Sequence, residues 1–455
     1  MIKIEGANFH AAIRITDTAP PRYLGRLFFL HLVQCIYAKR FNRNRGGDSG
    51  GTLRKVMQEL RTAALDLLKR NRRKSGGFSY TVPSPDTYPY QWLWDSCFHA
   101  IALSALGETE YAKAEIRALV SKQFENGLIP HLIYWEKPPH AAKGKLDIAW
   151  GRDGTSSITQ PPLIAYAVWR IFERDADTVF LERVYPALFH YYQYLLHERD
   201  PHARHLIGII NPDESGEDNS PRFDGVLNLP PVHDLEENFR RRLALVKENR
   251  TCGFDAPFCM KNFFWVKDVP FNAIMVENLR ALSRIAEKLG RAYDAEFFDT
   301  EGGRIAEAMR ELMLEDGVYW PTHGEHYEKI KVKTWAMFTP LFAHLPSTEE
   351  VEALLAGHFR NKKEFGSRFL LPTVALDEPS FDPRGFWRGP VWMAANWFLY
   401  RGLLNYGCTK EAGAVRDASR ELLSQSGFRE YFDPHSGEGL GAEQFTWGAL
   451  IADME

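Results

Sequence analysis

Apolar residues recur from Leu53 onward at the three- and four-residue spacing of amphipathic helices. This periodicity limits the fold more than any other feature of the chain. The stretch LRKVMQELRTAALDLLKRN, which begins at Leu53, is its first example. Further helices are predicted over 95–106, 109–125, 157–174, 177–198, 269–289, 292–314, 330–344, 348–359, 387–406 and 409–425, with a last one beginning near Phe445. Because strand signals are few, the sequence predicts an all-α protein.

Many of the predicted helices come in pairs with short links. The pairs are 95–106 with 109–125, 157–174 with 177–198, 269–289 with 292–314, and 387–406 with 409–425. Short links make antiparallel neighbours, and six such hairpins closed in a ring give an (α/α)6 barrel, or toroid. An open helical solenoid is the alternative, but the sequence has no fixed repeat period.

The first 51 residues differ from the rest. The apolar run Leu27–Tyr37 is too short to span a bilayer, and a basic, glycine-rich tract that ends in GGDSGG follows it. We therefore predict an N-terminal extension of unknown role over 1–51 and a toroidal catalytic domain over 52–455. Loop insertions rich in Pro, Gly, Trp and charge are expected near 126–156 and 199–268, where they would form the active-site mouth.

Composition excludes several classes of function. A formal charge of −3 provides no field for nucleic acid or an anionic membrane. The five cysteines include no C-x-x-C pair, which argues against a zinc or redox motif and favours a reducing cytosol. We expect a cytoplasmic protein with a small-molecule partner, no metal and no cofactor. The oligomeric state stays open, a homo-oligomer included.

Two segments combine carboxylates with groups that suit sugars. In YPYQWLWDSCFHAIAL, Trp92 and Trp94 lie in the same turn as Asp95. The ordinary role of Asp95 at this position would be a helix N-cap. Aromatic faces beside a carboxylate also suit the apolar face and the hydroxyls of a sugar. In FWRGPVWMAANWFLY, Trp387 and Trp392 could form a pocket wall beside Arg388, which could equally be a structural anchor.

Two further segments are acidic. NPDESGEDNSPRFD, from Asn211 to Asp224, holds five carboxylates and one cation, Arg222. Such a run is usually a solvated loop, but crowded carboxylates raise one another's pKa, which keeps a general acid protonated. The residues alone do not choose among Glu214, Glu217 and Asp218. REYFDPHSGEGLGAEQFTW, from Arg429 to Trp447, could supply the second carboxylate that an inverting glycosidase needs.

Together these segments resemble glycoside hydrolase family 63, especially its compact bacterial members, which hydrolyse glucosylglycerate and mannosylglycerate. Trehalases share a more distant version. The matching pieces stand in the family's order from about Tyr88 to Trp447. They are WLWDSCFHAIAL, NGLIPH, SITQPP, ESGEDNSPRFD, FWRGPVW and EYFDPHSGEGLG…FTW.

The resemblance implies an (α/α)6 barrel and an inverting α-glycosidase. The family's general acid is the aspartate of its ESGxDNSPR(W/F)D motif, which corresponds to Asp218. Its general base is the first glutamate of EYxxPxTG, which corresponds to Glu430. Trp94 and Asp95 would hold the sugar. The other residues expected to bind substrate are Tyr88, Trp92, His131, Gln160, Arg222, Trp387, Arg388, Trp392 and Trp447.

Two positions depart from the glycerate-releasing members. Those members have a Tyr before WRGPVW and a Gln near the C-terminal Trp. In the corresponding positions this chain has Phe386 and Phe445. We therefore expect a small α-glucoside or α-mannoside as substrate, with a glycerate-specific hydrolase as the narrower alternative. A sugar epimerase or phosphorylase on the same toroid, and a non-catalytic sugar-binding helical protein, are the alternatives from other classes.

Overall fold

The computed structural model describes residues 49–136, 146, 148–230 and 232–455. The predicted extension over 1–51 lies almost wholly outside the described residues, so its boundary stays a prediction. The chain divides into two units, and the second, Met57–Glu455, holds the fold that carries the site. Within the described residues, no helix is both long and apolar enough to cross a membrane.

Helices dominate the described chain, as the sequence predicts. The α-helices are α1 (Ser49–Arg70), α2 (Leu93–Ala105), α3 (Thr109–Val120), α4 (Ile164–Asp175), α5 (Thr178–Glu198), α6 (Leu235–Thr251), α7 (Ala256–Asn262), α8 (Val269–Lys288), α9 (Ala292–Leu312), α10 (Thr348–Leu354), α11 (Met393–Asn405) and α12 (Thr409–Ser426). A π-helical turn, Leu355–Phe359, continues α10. Four 3₁₀ segments complete the helical set: Pro212–Ser215, Pro221–Phe223, Trp335–Leu341 and Thr446–Asp453.

The predicted helix pairs are confirmed. α2 packs on α3, α4 on α5, α8 on α9 and α11 on α12. Two of the pairs begin later than expected, at Ile164 and Met393. Prolines at 161, 162 and 390 account for the delay, because proline disfavours a helical conformation in the residue before it.

The first helix of each pair lies deeper than the second. Every residue of α2 from Leu93 to Ser104 is buried, as expected for a helix that is apolar all round. α2 packs on α4, α4 on α8, and α8 on the segment Trp335–Leu341. That segment packs on α11, which packs on Thr446–Asp453, and Thr446–Asp453 packs on α2.

Short antiparallel strand pairs lie within the loops. They are β1–β2 (Arg72–Ser75, Phe78–Thr81), β3–β4 (Gln91–Trp92, Leu132–Ile133), β5–β6 (Leu314–Glu315, Val318–Tyr319), β7–β8 (Thr322–His323, Glu328–Lys329) and β9–β10 (Arg429–Phe432, Gly439–Glu443). The β9–β10 pair contains a register shift between Leu440 and Glu443. The bulge leaves the backbone N–H of Ala442 free to donate to the Glu430 side chain.

The prediction of a loop insertion over 199–268 was wrong in part, because this insertion contains α6 and α7. Asp234 caps α6 by accepting from the backbone N–H of Glu237, and Asp255 caps α7 in the same way from Phe258. Cys252 and Cys259 are joined as a disulfide between the two helices, a pairing that their sequence spacing did not predict.

A buried ion pair fixes the start of the acidic segment. Arg199, which follows α5, donates two hydrogen bonds of 2.6 and 2.7 Å to the Glu214 carboxylate. Glu214 also accepts from the backbone N–H groups of Thr159 and Ile210. Both charged side chains are fully buried, so each depends on the other for solvation.

We predict that Arg199→Met lowers the free energy of unfolding by about 3–5 kcal/mol, because it leaves the Glu214 carboxylate buried without its cation. Denaturant-induced unfolding measures the loss. Arg384→Met is the matched control, since Arg384 pairs with Glu438 at the exposed surface, and its unfolding midpoint should not change. Equal effects of the two substitutions would contradict the role assigned to the buried pair.

Candidate active site

A cavity of about 330 Å³ lies where α2, α11 and Thr446–Asp453 begin and where the long loops meet. Its volume falls at the small end of the range for small-molecule sites. Among the residues predicted for the site, all but Arg222 and Arg388 line it. Those that do are Tyr88, Trp92, Trp94, Asp95, His131, Gln160, Asp218, Trp387, Trp392, Glu430 and Trp447.

Aromatic rings form one side of the cavity. The Trp387 and Trp392 rings stack with centroids 3.9 Å apart and planes at 6°, and Tyr431 stacks on Trp392 at 5.0 Å. Trp447 meets Trp94 edge to face at 5.0 Å. Because the rings brace one another, they present fixed apolar faces, which suit the C–H face of a sugar.

Glu430 lies on β9 with both carboxylate oxygens engaged. Tyr88 Oη donates to Oε1 at 2.7 Å, and the Ala442 backbone N–H donates to Oε2 at 2.7 Å. The bulge in β10 turns this N–H away from the strand ladder. Burial raises the pKa of Glu430 to about 7, against the two hydrogen bonds, and the charge of Asp218 adds to the rise.

Asp218 faces the same cavity from the acidic segment. Its Oδ2 lies 2.7 Å from Arg242 Nη2, and Arg242 Nη1 bonds Asp213. Burial raises the pKa of Asp213 to about 6; Arg242 opposes this rise and the charge of Asp218 adds to it. One guanidinium of α6 thus holds two cavity-lining carboxylates together.

The other carboxylates of the acidic segment are committed to structure. Glu214 is held by Arg199, as described above. Glu217 receives two hydrogen bonds from Arg222, at 2.7 and 2.8 Å, and one from Trp335 Nε1 at 2.7 Å. Of Glu214, Glu217 and Asp218, among which the residues alone did not choose, Asp218 is the one that lines the cavity.

Arg222 and Arg388 act as anchors in the structure, and for them the expectation of substrate contact is corrected. Arg222 is fully buried and joins Glu217 to Asp268, the residue before α8, with Nε–Oδ1 at 2.9 Å. Arg388 donates to Asp224 at 2.8 and 3.0 Å. Both guanidinium groups hold the acidic segment in place and leave the cavity lining to other residues.

Asn219 couples the acid to the aromatic wall. Its Oδ1 accepts from the Trp387 backbone N–H at 2.9 Å, and its Nδ2 donates to the Gly385 carbonyl at 3.1 Å. Because Asn219 directly follows Asp218, these two bonds fix the backbone that carries Asp218 relative to Trp387. Gly216, with φ +73°, allows the same segment to lie against the Trp94 ring, where a Cβ would collide.

Hydrogen bonds also position Asp95, Gln160 and His131. Trp447 Nε1 donates to Asp95 at 2.6 Å, and burial raises the pKa of Asp95 to about 7. The Trp94 backbone N–H donates to Gln160 at 3.2 Å. His131 Nδ1 lies 2.6 Å from the Ser156 hydroxyl, and burial lowers its pKa to about 3, so His131 is neutral.

The other acidic residues of the C-terminal segment turn away from the cavity. Asp433 accepts from two backbone N–H groups in a tight turn. Glu438 pairs with Arg384, and Glu443 pairs with Arg429. Of these carboxylates, Glu430 is the one that lines the cavity.

Sequence reasoning missed several residues that line the cavity. They are Asp213, Asn219, Asn238, Phe239, Arg242 and Tyr431. Three of them lie on α6, which the weak apolar periodicity of LEENFRRRLALVKENRT concealed. The signal that could have found α6 is its acidic N-cap and first turn, Asp234 with Glu236 and Glu237. Among the described residues, no cluster of three or more metal-binding side chains occurs.

Comparison with known proteins fixes the class. Residues 88–448 match the model of the "Mannosylglycerate hydrolase MGH1-like glycoside hydrolase domain". The chain therefore belongs to this family. The prediction of a glycoside hydrolase of family 63 is confirmed, and the protein is an α-glycosidase.

Its relatives match over nearly their whole length. A mannosylglycerate hydrolase from Thermus thermophilus is 35% identical over 419 residues, which are 86% of this chain and 98% of the relative. A glucosylglycerate hydrolase from Mycolicibacterium hassiacum is 30% identical, covering 81% and 92%. The crystal structure of a GH63 mannosylglycerate hydrolase from Thermus thermophilus, 34% identical, aligns with a TM-score of 0.78, covering 87% of this chain and 99% of the other.

We predict that Gly441→Ala lowers kcat at least about tenfold without unfolding the protein. Gly441 has φ +64°, and a Cβ there would collide with the Glu430 carboxylate and the Tyr431 ring. Displacing a catalytic group by about 1 Å can cost about a hundredfold in rate. Steady-state kinetics and circular dichroism check the two parts. Gly413→Ala is the control, because Gly413 lies in α12 with room for a Cβ; similar activity of both variants would contradict the prediction.

Proposed function

We propose that this protein hydrolyses a small α-mannoside or α-glucoside with inversion, with Asp218 as general acid and Glu430 as general base. The observation that carries the proposal is the placement of two carboxylates, one from the acidic segment and one from β9, on one aromatic-walled cavity. Asp218 is held by Arg242, and Glu430 is held by Tyr88 and by a backbone N–H.

The proposed architecture is an (α/α)6 toroid. In support, the run of packed inner elements that starts at α2 returns to α2 through Thr446–Asp453, and four of the six have an outer helix paired with them. Neutral trehalase from Saccharomyces cerevisiae, 15% identical, shares the fold with a TM-score of 0.55. In a toroid the six inner elements would place their starts, and so the cavity, at one mouth.

In the proposed reaction the sugar stacks on the tryptophan wall beside Asp95. Asp218 gives its proton to the glycosidic oxygen as the bond to the anomeric carbon breaks. Glu430 accepts a proton from water, whose oxygen attacks the opposite face of that carbon. This route needs the two carboxyl groups about 6.5–9.5 Å apart, with the water between base and sugar, and it needs no cofactor.

Two observations about the cavity lining argue against a glycerate aglycone. Phe386 and Phe445 line the cavity and offer no hydrogen-bond donor to a glycerate carboxylate. Four carboxylates line the described cavity, Arg242 is the one guanidinium among its lining residues, and Arg242 already holds two of the four. An anionic aglycone would therefore meet a negative field, so we propose a neutral aglycone.

A glycerate aglycone is the second candidate. The relatives named above act on mannosylglycerate and glucosylglycerate, as their names state. Arg242 would be the cation for the carboxylate, since a protonated Asp218 would leave part of the guanidinium free. The kinetic comparison described below separates the two candidates.

The proposed mechanism predicts that an α-glycoside yields the β anomer first. NMR before mutarotation detects it. Asp218→Asn and Glu430→Gln should each lower kcat at least about a hundredfold, from the size of acid–base effects, while circular dichroism stays unchanged. Glu438→Gln, an exposed carboxylate of the same segment as Glu430, should keep full activity. Retained anomeric configuration, or near-normal turnover in either catalytic variant, would reject the assignment.

The acidic limb of kcat/KM should lie near pH 7 and report Glu430, which works as a base only when ionised. The Tyr88 hydrogen bond favours the ionised form. Tyr88→Phe should therefore raise the pKa of Glu430 and move this limb to higher pH, with the loss largest below neutrality. Tyr431→Phe, which removes another phenol of the cavity, should leave the limb in place. An unmoved limb in Tyr88→Phe would rule out this pairing as the source.

For the aglycone, we expect a higher kcat/KM for neutral α-mannosides or α-glucosides than for mannosylglycerate and glucosylglycerate, because four carboxylates line the described cavity and its one guanidinium already pairs with two of them. Phe386→Tyr should shift this ratio towards the glycerates by adding a phenol donor. Steady-state kinetics on matched substrates measures both. A wild-type protein that prefers a glycerate would establish the second candidate instead.

A further inference from the structure

A second cavity, of about 1070 Å³, lies outside the candidate active site. It is bounded by α6, α7, the segment after α7 and the β7–β8 turn, and it shares no lining residue with the active-site cavity. Arg241 lines the second cavity and Arg242 the first, so α6 separates the two.

An aromatic cluster forms one wall of the second cavity. Trp265, which is partly exposed, lies 5.1 Å from His202, 6.1 Å from His323 and 5.8 Å from Tyr327 between ring centroids. Burial raises the pKa of Tyr327 to about 12, so its phenol stays neutral and can donate a hydrogen bond. Such a wall offers a flat apolar face edged by polar groups, which suits a sugar or base ring.

The charge of the second cavity is opposite to that of the first. Its lining holds three cations, Arg204, Arg241 and Lys261, against two carboxylates, Glu248 and Glu325. Arg241 pairs with Glu248 at 3.3 Å. Arg204 pairs with the exposed Glu311 at 3.3 Å. Lys261 is exposed and forms no ion pair within the described chain. The chain as a whole carries −3, so this basic cavity is a local feature and favours an anionic ligand.

We propose that the second cavity binds a phosphate monoester of a small ring-bearing molecule. Lys261 and Arg204 bind the phosphate, and the ring stacks on Trp265. Phosphate fits these residues because it is compact, carries up to two charges and accepts several charge-assisted hydrogen bonds. Hexose phosphates and nucleoside monophosphates share this chemistry, and the experiment distinguishes them.

Titration calorimetry of the full chain tests the proposal, with mannose saturating the active site. The probes are glucose 6-phosphate and AMP, each against its dephosphorylated form and against inorganic phosphate. At least one ester should bind about tenfold or more tighter than both of its controls. Preference for glucose 6-phosphate or for AMP identifies the source of the phosphate ester.

Variants locate the binding. Lys261→Glu, an exposed charge reversal, and Trp265→Ala should each weaken ester binding at least about tenfold. Lys410→Ala, an exposed lysine at the start of α12, should leave binding unchanged. Absence of ester binding, equal binding of inorganic phosphate, or affinity unaffected by Lys261→Glu overturns the proposal. Because calorimetry measures no turnover, its failure would leave the proposed hydrolysis standing.

Discussion

The site depends on two buried guanidinium groups that neutralise the acidic segment from behind. Arg222 joins Glu217 to Asp268, and Arg199 holds Glu214. An irregular segment can be buried only if its polar groups find partners. These pairs tie the segment to the end of α5 and the start of α8, and the Trp335 indole ties it to a further inner element, Trp335–Leu341. The position of Asp218 therefore depends on these buried pairs.

This dependence explains which parts of the site could be predicted. Helix pairing followed from apolar periodicity, a local property of the sequence. The choice among Glu214, Glu217 and Asp218 did not, because all three are carboxylates of one loop. What distinguishes them is the partner of each outside the acidic segment: Arg199 for Glu214, Trp335 for Glu217 and Arg242 for Asp218. Arg222 and Arg388 were expected to bind substrate because the sequence did not show that they pair with Asp268 and Asp224.

The largest error lies in the insertion over 199–268. α6 has few apolar residues because it is packed on one narrow face, so periodicity missed it, although its capping aspartate was visible. Because α6 was not predicted, its residue Arg242, the cation that joins Asp213 and Asp218, was missed as well. An account of the aglycone based on Phe386 and Phe445 alone was therefore incomplete. Charge-rich helices that cover an active site are poorly marked by the hydrophobic signal that marks core helices.

The position of α6 between two cavities has an evolutionary consequence. Arg241 and Arg242 are consecutive, and consecutive side chains on a helix diverge by about 100°. Inserting or deleting one residue between the cap at Asp234 and Arg242 would rotate both arginines out of their cavities at once. Substitution at single positions leaves that phase intact. We therefore expect natural homologues to vary the exposed residues of this stretch, such as Glu236 and Arg240, while keeping its length constant.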